Sequence, residues 1–115
     1  MIPALDITVL TTLFEARDPA LTFFFENVTF FGNAMTIFVL AALLVLTHCI
    51  QRHGAYMLAL LTAVIGSSFA TVVIKFAFER PRPDHWFWAV PEVGYSMPSA
   101  HAALSLAFYG FCIWI

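Results

Sequence analysis

Long apolar runs separated by short polar stretches dominate the chain from residue 27 onward. Residues 27–51 contain no Asp, Glu, Lys or Arg, and neither do residues 54–74. About 20 apolar residues at 1.5 Å each cross the hydrocarbon core of a bilayer. The pattern therefore predicts two transmembrane helices, over 28–50 and 54–79, and the short link between them requires an antiparallel hairpin.

The two ends of the chain depart from this pattern. Charged side chains interrupt residues 1–26 every few positions, which suits helices that lie along the membrane interface or at the edge of the bundle. Asp18 and Pro19 have the character of a helix start, with Asp18 as the N-cap. At the other end, residues 102–115 carry no charge but are too few to cross a bilayer. We therefore expect 99–115 to be the start of a truncated third transmembrane helix.

Composition indicates a membrane protein rather than a soluble one. Hydrophobic residues make up 62% of the chain and charged residues 10%, which leaves too little polar surface for a soluble domain of 115 residues. The net charge of −2 argues against nucleic-acid binding, which needs a basic patch. Cys49 and Cys112 lie inside apolar runs without a metal-binding spacing, and we expect buried free thiols. The predicted fold is an all-α helical membrane bundle that forms a single domain over 1–115.

The candidate chemistry lies around a polar loop predicted over 80–98. Lys75 precedes this loop and shares a helical face with Ser68 and Thr71. Small polar residues in such a stripe pack inside helix bundles, which directs Lys75 toward the bundle interior. A lysine at a helix end can also extend its ammonium group to the membrane interface and have no other role. Taken alone, Lys75 fits this second interpretation better.

The stretch ERPRP, residues 79–83, carries two arginines on a rigid exit from that helix. Each proline disfavours the helical conformation at the arginine before it, so the helix must end near Glu79. The planar guanidinium of Arg82 offers a fork of donors that matches phosphate oxygens. Arg80 fits an ordinary interfacial turn, in which it pairs with Glu79 or Asp84.

The stretch MPSAH, residues 97–101, opens the third apolar run. A helix start presents unpaired N–H groups and a partial positive charge, which together favour an anion. Ser99 can cap this helix or donate its hydroxyl to the anion, and His101 can protonate a leaving oxygen as a general acid. A capping serine followed by an interfacial histidine explains the pair better when it is taken alone.

In combination, these residues resemble the type 2 phosphatidic acid phosphatase superfamily, which is related to vanadium-dependent haloperoxidases. The first family motif is K-x6-R-P, which the chain matches from Lys75 through Arg82 and the following proline. The second is P-S-G-H, which the chain matches at residues 98–101 with Ala100 in place of glycine. Alanine still supplies the backbone N–H, and its methyl matters only where positive φ or very close approach is needed. The resemblance covers residues 20–115.

The resemblance implies a six-helix membrane bundle and a role for each matching residue. Lys75, Arg82, Ser99 and the backbone of Ala100 would hold the substrate phosphate, and His101 would protonate the leaving group. No metal or other cofactor is implied, because the cations stabilise the charge. A third family motif, S-R-x5-H-x3-D, supplies the nucleophilic histidine, and no Arg, His or Asp follows His101. We therefore expect the 115-residue chain to be nearly inactive, because tighter binding does not replace a nucleophile.

The other histidines fit the family pattern poorly. His48 and His53 belong to the opposite end of the predicted hairpin. His85 lies in the same loop as the site, but no family position corresponds to it. Its neighbours Trp86, Phe87 and Trp88 are typical of an aromatic belt at the headgroup level, and an access path for lipid is the alternative.

The function implied is removal of phosphate from a lipid phosphate or a polyprenyl diphosphate, through a phosphohistidine in the complete protein. One alternative is a lipid phosphotransferase that uses the same site. Another is a non-catalytic membrane protein that binds anionic lipid through Lys75 and Arg82, which tolerates His101→Ala where catalysis does not. The expected partners are the lipid phosphate and membrane lipid. By resemblance, the protein lies in a bacterial inner membrane with its site on the non-cytoplasmic side, although Arg52, Lys75, Arg80 and Arg82 do not settle the orientation by charge.

Overall fold

The computed structural model describes residues 4–84 and 93–115 and is all-helical in these ranges. The chain forms α1 (Ala4–Glu15), α2 (Pro19–Phe30), α3 (Ala34–Ile50), α4 (Gly54–Phe78) and α5 (Ala100–Trp114). The predicted all-α class is confirmed. The predictions for His85, Trp86, Phe87 and Trp88 concern residues outside the described ranges.

Helices α3, α4 and α5 pack against one another and form the core. In each helix, buried apolar side chains four residues apart lie on one face, because that spacing brings side chains one above the other. The buried apolar residues are Ile37, Ala41, Leu60, Val64, Leu104, Phe108 and Phe111. The three-residue link between α3 and α4 makes them the predicted antiparallel hairpin, and α5 closes the third side of the core.

Most large apolar side chains point away from this core. Leu58 and Phe69 of α4 and Leu106 of α5, for example, are all more than half exposed. A soluble monomer rarely exposes continuous apolar surface of this kind, whereas lipid-facing helices require it. The hydrophobic residues therefore divide between a narrow helix–helix core and an outer apolar surface.

The described residues contain one helix that is long and apolar enough to cross a membrane. This is α4, with 25 residues and a mean hydropathy of 2.2 in its best window. Helices α2 and α3 are together long and apolar enough to cross a membrane, but they meet at an angle of 42°. Helix α5 is apolar but shorter. By length and composition, the described residues thus hold one spanning helix, or two if the bent pair forms one span.

The continuous helix predicted over 28–50 is wrong, because the chain breaks it at residues 31–33. The Asn33 side chain accepts a hydrogen bond from the backbone N–H of Met35 at 2.9 Å, and thus caps α3. The hydroxyl of Tyr109 on α5 donates to the carbonyl of Phe31 at 2.9 Å. Gly32 is buried at the break between α2 and α3, with Ser105 and His101 of α5 beside it. Asn33 and Tyr109 therefore satisfy backbone groups that the break leaves without helical partners, and Gly32 lets α5 approach closely.

Helices α1 and α2 lie at the edge of the core, and neither contains a buried residue. As predicted, Asp18 caps α2: its carboxylate accepts from the N–H groups of Ala20 and Leu21, at 2.8 and 3.2 Å. Helix α1 is tied to the loop that follows α4 by an ion pair between Asp6 and Arg80.

Two smaller sequence predictions are wrong. Arg80 pairs with Asp6 rather than with Glu79 or Asp84, because helix α1, distant in sequence, packs beside the loop. Cys49 and Cys112 are free, but they are exposed rather than buried. Position within an apolar run does not mean burial in this protein, because many of its apolar positions face outward.

Substitution of Gly32 tests the close packing at the break. A Cβ there would lie 2.9 Å from the Ser105 hydroxyl and 3.3 Å from the Thr29 carbonyl. We expect Gly32→Val to lower the free energy of unfolding by about 1–3 kcal/mol, the usual cost of overpacking. The measurement is denaturation with sodium dodecyl sulfate in dodecyl maltoside micelles. Gly66→Val is the control, since a Cβ on Gly66 meets nothing within 4 Å, and equal effects of the two changes would contradict the packing.

Candidate active site

The five site residues predicted from the sequence line one cavity of about 770 Å³. They are Lys75, Arg82, Ser99, Ala100 and His101. The cavity lies where the break between α2 and α3, the end of α4 and the start of α5 meet. Elements from three parts of the chain thus bring two cations, a hydroxyl, a helix N-terminus and an imidazole to one space.

Backbone carbonyls hold the two cations in place. The ammonium of Lys75 donates to the carbonyl of Tyr95 at 2.6 Å, and the guanidinium Nε of Arg82 donates to the carbonyl of Gly94 at 3.0 Å. Both acceptors are neutral carbonyl oxygens, so these two hydrogen bonds orient the cations but are not ion pairs. Gly94 has φ +82°, a left-handed conformation that favours glycine and turns the two successive carbonyls toward α4 and its exit.

The segment that supplies these carbonyls is itself fixed to the exit from α4. The Ser96 N–H donates to the carbonyl of Arg80 at 2.9 Å, and the Ser96 hydroxyl donates to the carbonyl of Pro81 at 3.0 Å. The side chain of Arg80 also contacts the sulfur of Met97 while it pairs with Asp6. Arg80 therefore connects α1, the exit from α4 and the segment that precedes α5.

Glu79 ends α4 as the sequence predicts, in a left-handed conformation at φ +44°. Its carboxylate raises the pKa of the Tyr95 hydroxyl above the usual value of 10.0, chiefly by charge repulsion of the phenolate. Tyr95 is thus neutral at physiological pH. Glu79 lies beside the segment whose carbonyls orient Lys75.

The N-terminus of α5 opens into the cavity. The Ser99 hydroxyl accepts from the N–H of Ala102 at 3.2 Å and caps the helix, as predicted. The N–H groups of Ala100 and His101 belong to the set that an α-helix leaves without intrahelical partners, and both residues line the cavity. Ala100 is the first residue of α5 and lies in helical conformation, so replacement of the family glycine by alanine causes no backbone strain there.

The polar stripe on α4 faces inward, as the sequence predicts. Thr71 is 5% exposed, and Ser68 and Lys75 are partly buried. The Ser68 hydroxyl donates to the carbonyl of Val64 at 2.7 Å, which satisfies its polar group within the helix. Lys75 therefore leaves α4 on the side of the helix that faces the bundle.

Several other residues that line the cavity were not predicted from the sequence, among them Ser96, Ser105 and Tyr109. Ser105 and Tyr109 follow His101 at intervals of four residues, so all three share one face of α5 and line the cavity. This spacing indicates a polar face on an otherwise apolar helix and could have been recognised in the sequence. Ser96 also lines the cavity, and its contacts with the α4 exit had no such signal.

The remaining described histidines lie away from the site. His48 is 7% exposed and packs against the rings of His53 and Tyr56, at centroid distances of 6.0 and 5.6 Å. Tyr56 and Lys75 are separated by about 28 Å along α4, at 1.5 Å per residue. Among the described residues, no three His, Cys, Asp or Glu side chains form a group that could hold a metal ion.

Ser99 allows its structural role and its role in anion binding to be separated. We expect Ser99→Ala to lower the free energy of unfolding by about 1 kcal/mol, because the helix cap is lost. Ser99→Asp keeps a good cap and therefore the stability, but its carboxylate should weaken the binding of inorganic phosphate by more than about tenfold through like-charge repulsion. Detergent denaturation and calorimetric titration measure the two effects. Unchanged phosphate binding by Ser99→Asp would show that Ser99 does not face the anion.

Comparison with known families identifies the chain on the same residues. The family model of the PAP2 superfamily matches residues 55–115, more than half of the chain and a range that contains all five predicted site residues. Comparisons with curated proteins and with solved structures gave no match. The chain therefore belongs to the PAP2 superfamily, a superfamily of phosphatases that are generally membrane-associated.

Proposed function

We propose that the protein acts in the membrane as a phosphatase that removes phosphate from a lipid phosphate or a polyprenyl diphosphate. The observation that carries this proposal is the single cavity that Lys75, Arg82, Ser99 and His101 share at the N-terminus of α5. Two cations and a helix N-terminus favour a dianionic phosphate, and the imidazole beside them can supply a proton. The apolar outer surface and the length of α4 support a location in the membrane.

In the proposed mechanism, Lys75, Arg82 and the first N–H groups of α5 hold the phosphate oxygens. A nucleophile attacks phosphorus in line with the leaving oxygen, the bond from phosphorus to that oxygen breaks, and His101 transfers its proton to the oxygen as it leaves. The cations and the helix N-terminus stabilise charge on the phosphoryl group during transfer, which is where such groups accelerate a reaction most. In the complete family pattern, a histidine of the third motif is the nucleophile, and water releases phosphate from the phosphohistidine.

The expected setting is a bacterial inner membrane, with the site at its non-cytoplasmic surface. The site lies at the end of α4, consistent with a position near a membrane surface rather than at mid-bilayer. The same cavity would serve a phosphotransferase if an alcohol replaced water in the second step. Phosphate release to water distinguishes the two reactions.

Removal of either cation tests the phosphate site. We expect Lys75→Ala and Arg82→Ala each to weaken binding of inorganic phosphate by about 10- to 100-fold, the loss typical of a hydrogen bond to a charged group. Isothermal titration calorimetry of the 115-residue chain in dodecyl maltoside gives the dissociation constants. Arg52→Ala is the matched control, since it removes a cation at the opposite end of α4. If all three variants bind phosphate equally, the cations do not form the proposed site.

An external nucleophile tests the role of His101. The 115-residue chain should release little phosphate from phosphatidate alone, but added imidazole can attack phosphorus in place of a histidine side chain. The resulting phosphoimidazole hydrolyses to inorganic phosphate. We expect His101→Ala to reduce this imidazole-dependent release by about 100-fold, the usual contribution of a general acid. Release that does not depend on His101 would contradict its role as the acid and favour a site that only binds lipid.

A further inference from the structure

A second cavity of about 720 Å³ adjoins the site, and we call it the α1–α2 groove. Its apolar wall includes Leu13 at the end of α1 and Leu21, Phe25 and Phe30 along α2. Its size falls in the range of about 300–1,000 Å³ that is typical of small-molecule pockets. The groove therefore offers a largely apolar space at the edge of the helical core.

His101 lines both the site cavity and the α1–α2 groove, as does Thr29. The two spaces thus meet at the proposed general acid. Lys75, Arg82 and Ser99 line the site cavity alone, so the groups that hold phosphate all lie on one side of this junction.

This arrangement determines where the leaving group must lie. A general acid acts only within hydrogen-bond reach of the oxygen that it protonates, about 2.6–3.2 Å. With phosphorus held by Lys75 and Arg82, the leaving oxygen lies between the phosphate and His101. The atoms attached to that oxygen then continue beyond His101, into the α1–α2 groove.

The groove suits a hydrocarbon chain. Leu21 and Phe25 are each more than half exposed, so an apolar occupant would remove a large apolar surface from its surroundings. The groove is also lined by polar side chains, those of Arg17, Asp18 and Glu26. These side chains can contact the polar atoms of a glycerol group or of the membrane interface. The ion pair between Asp6 and Arg80 fixes α1, and with it one wall of the groove, to the site loop.

We propose that the α1–α2 groove is the leaving-group subsite and holds the hydrocarbon part of the lipid alcohol while its phosphate lies in the site cavity. This assignment rests on the proposed function, because it takes His101 as the acid. It makes α2 the element that distinguishes a lipid phosphate from inorganic phosphate.

Adjacent phenylalanines of α2 provide a matched test. Phe25 lines the groove and is 59% exposed, whereas Phe24 does not line it and is 57% exposed. Their rings contact each other at a centroid distance of 5.3 Å, so Phe24→Ala and Phe25→Ala lose the same mutual contact. A third variant, Thr22→Trp, fills the groove from a position that also lines it.

The experiment measures the affinity of each 115-residue variant for dioctanoyl phosphatidate and for inorganic phosphate, by calorimetric titration in dodecyl maltoside. We expect Phe25→Ala and Thr22→Trp each to weaken phosphatidate binding by about tenfold and to leave inorganic phosphate unchanged. Phe24→Ala should change neither affinity. Circular dichroism and detergent denaturation check that the variants remain folded.

The outcomes separate this proposal from the proposed function. If the chain binds inorganic phosphate through Lys75 and Arg82 but Phe24→Ala and Phe25→Ala have equal effects on phosphatidate, the groove assignment is wrong and the phosphate site stands. If Thr22→Trp binds phosphatidate as tightly as the unchanged chain, the lipid lies elsewhere. If neither the unchanged chain nor any variant binds phosphate, both proposals fail together.

Discussion

The candidate site depends on two hydrogen bonds that orient positive side chains at one cavity. Lys75 comes from the end of α4 and Arg82 from the loop beyond it, and both line the same cavity. Two successive carbonyls each accept one hydrogen bond. The Tyr95 carbonyl accepts from Lys75, and the Gly94 carbonyl accepts from Arg82. Because a carbonyl carries only a partial charge, neither of these two hydrogen bonds is itself an ion pair. A carboxylate in place of either carbonyl would form an ion pair with the cation and oppose the binding of an anion.

The rest of the molecule supports that arrangement from two sides. On one side, α5 packs against the break between α2 and α3, where Gly32 gives room and the Tyr109 hydroxyl satisfies the Phe31 carbonyl. This contact sets the position of the α5 N-terminus. On the other side, Ser96 and Arg80 fix the loop before α5 to the exit from α4. The narrow core of α3, α4 and α5 connects the two sides, while most apolar side chains face outward.

Much of this could be read from the sequence, because the signals were local. Prolines at 81 and 83 mark the end of α4, Ser99 marks the start of α5, and the spacing from Lys75 to Arg82 carries the family resemblance. The break at residues 31–33 was missed because a charge-free run shows hydrophobicity and says little about capping, although Asn33 was a cap signal within it. The ion pair between Asp6 and Arg80 was beyond reach, since no local pattern relates residues 74 positions apart. The exposure of Cys49 was misjudged because an apolar run does not show which of its side chains face the helical core and which face outward.

The pairing of Asp6 with Arg80 has a consequence for the order in which the protein is made. Asp6 of α1 precedes Arg80 by 74 residues, so α1 is synthesised before the contact that fixes it can form. Only when the loop after α4 emerges can Arg80 bring α1 alongside it. Helix α1 thus reaches its final place only after the loop beyond α4 has been synthesised, and the loop that carries Arg82 gains its outer support at that step.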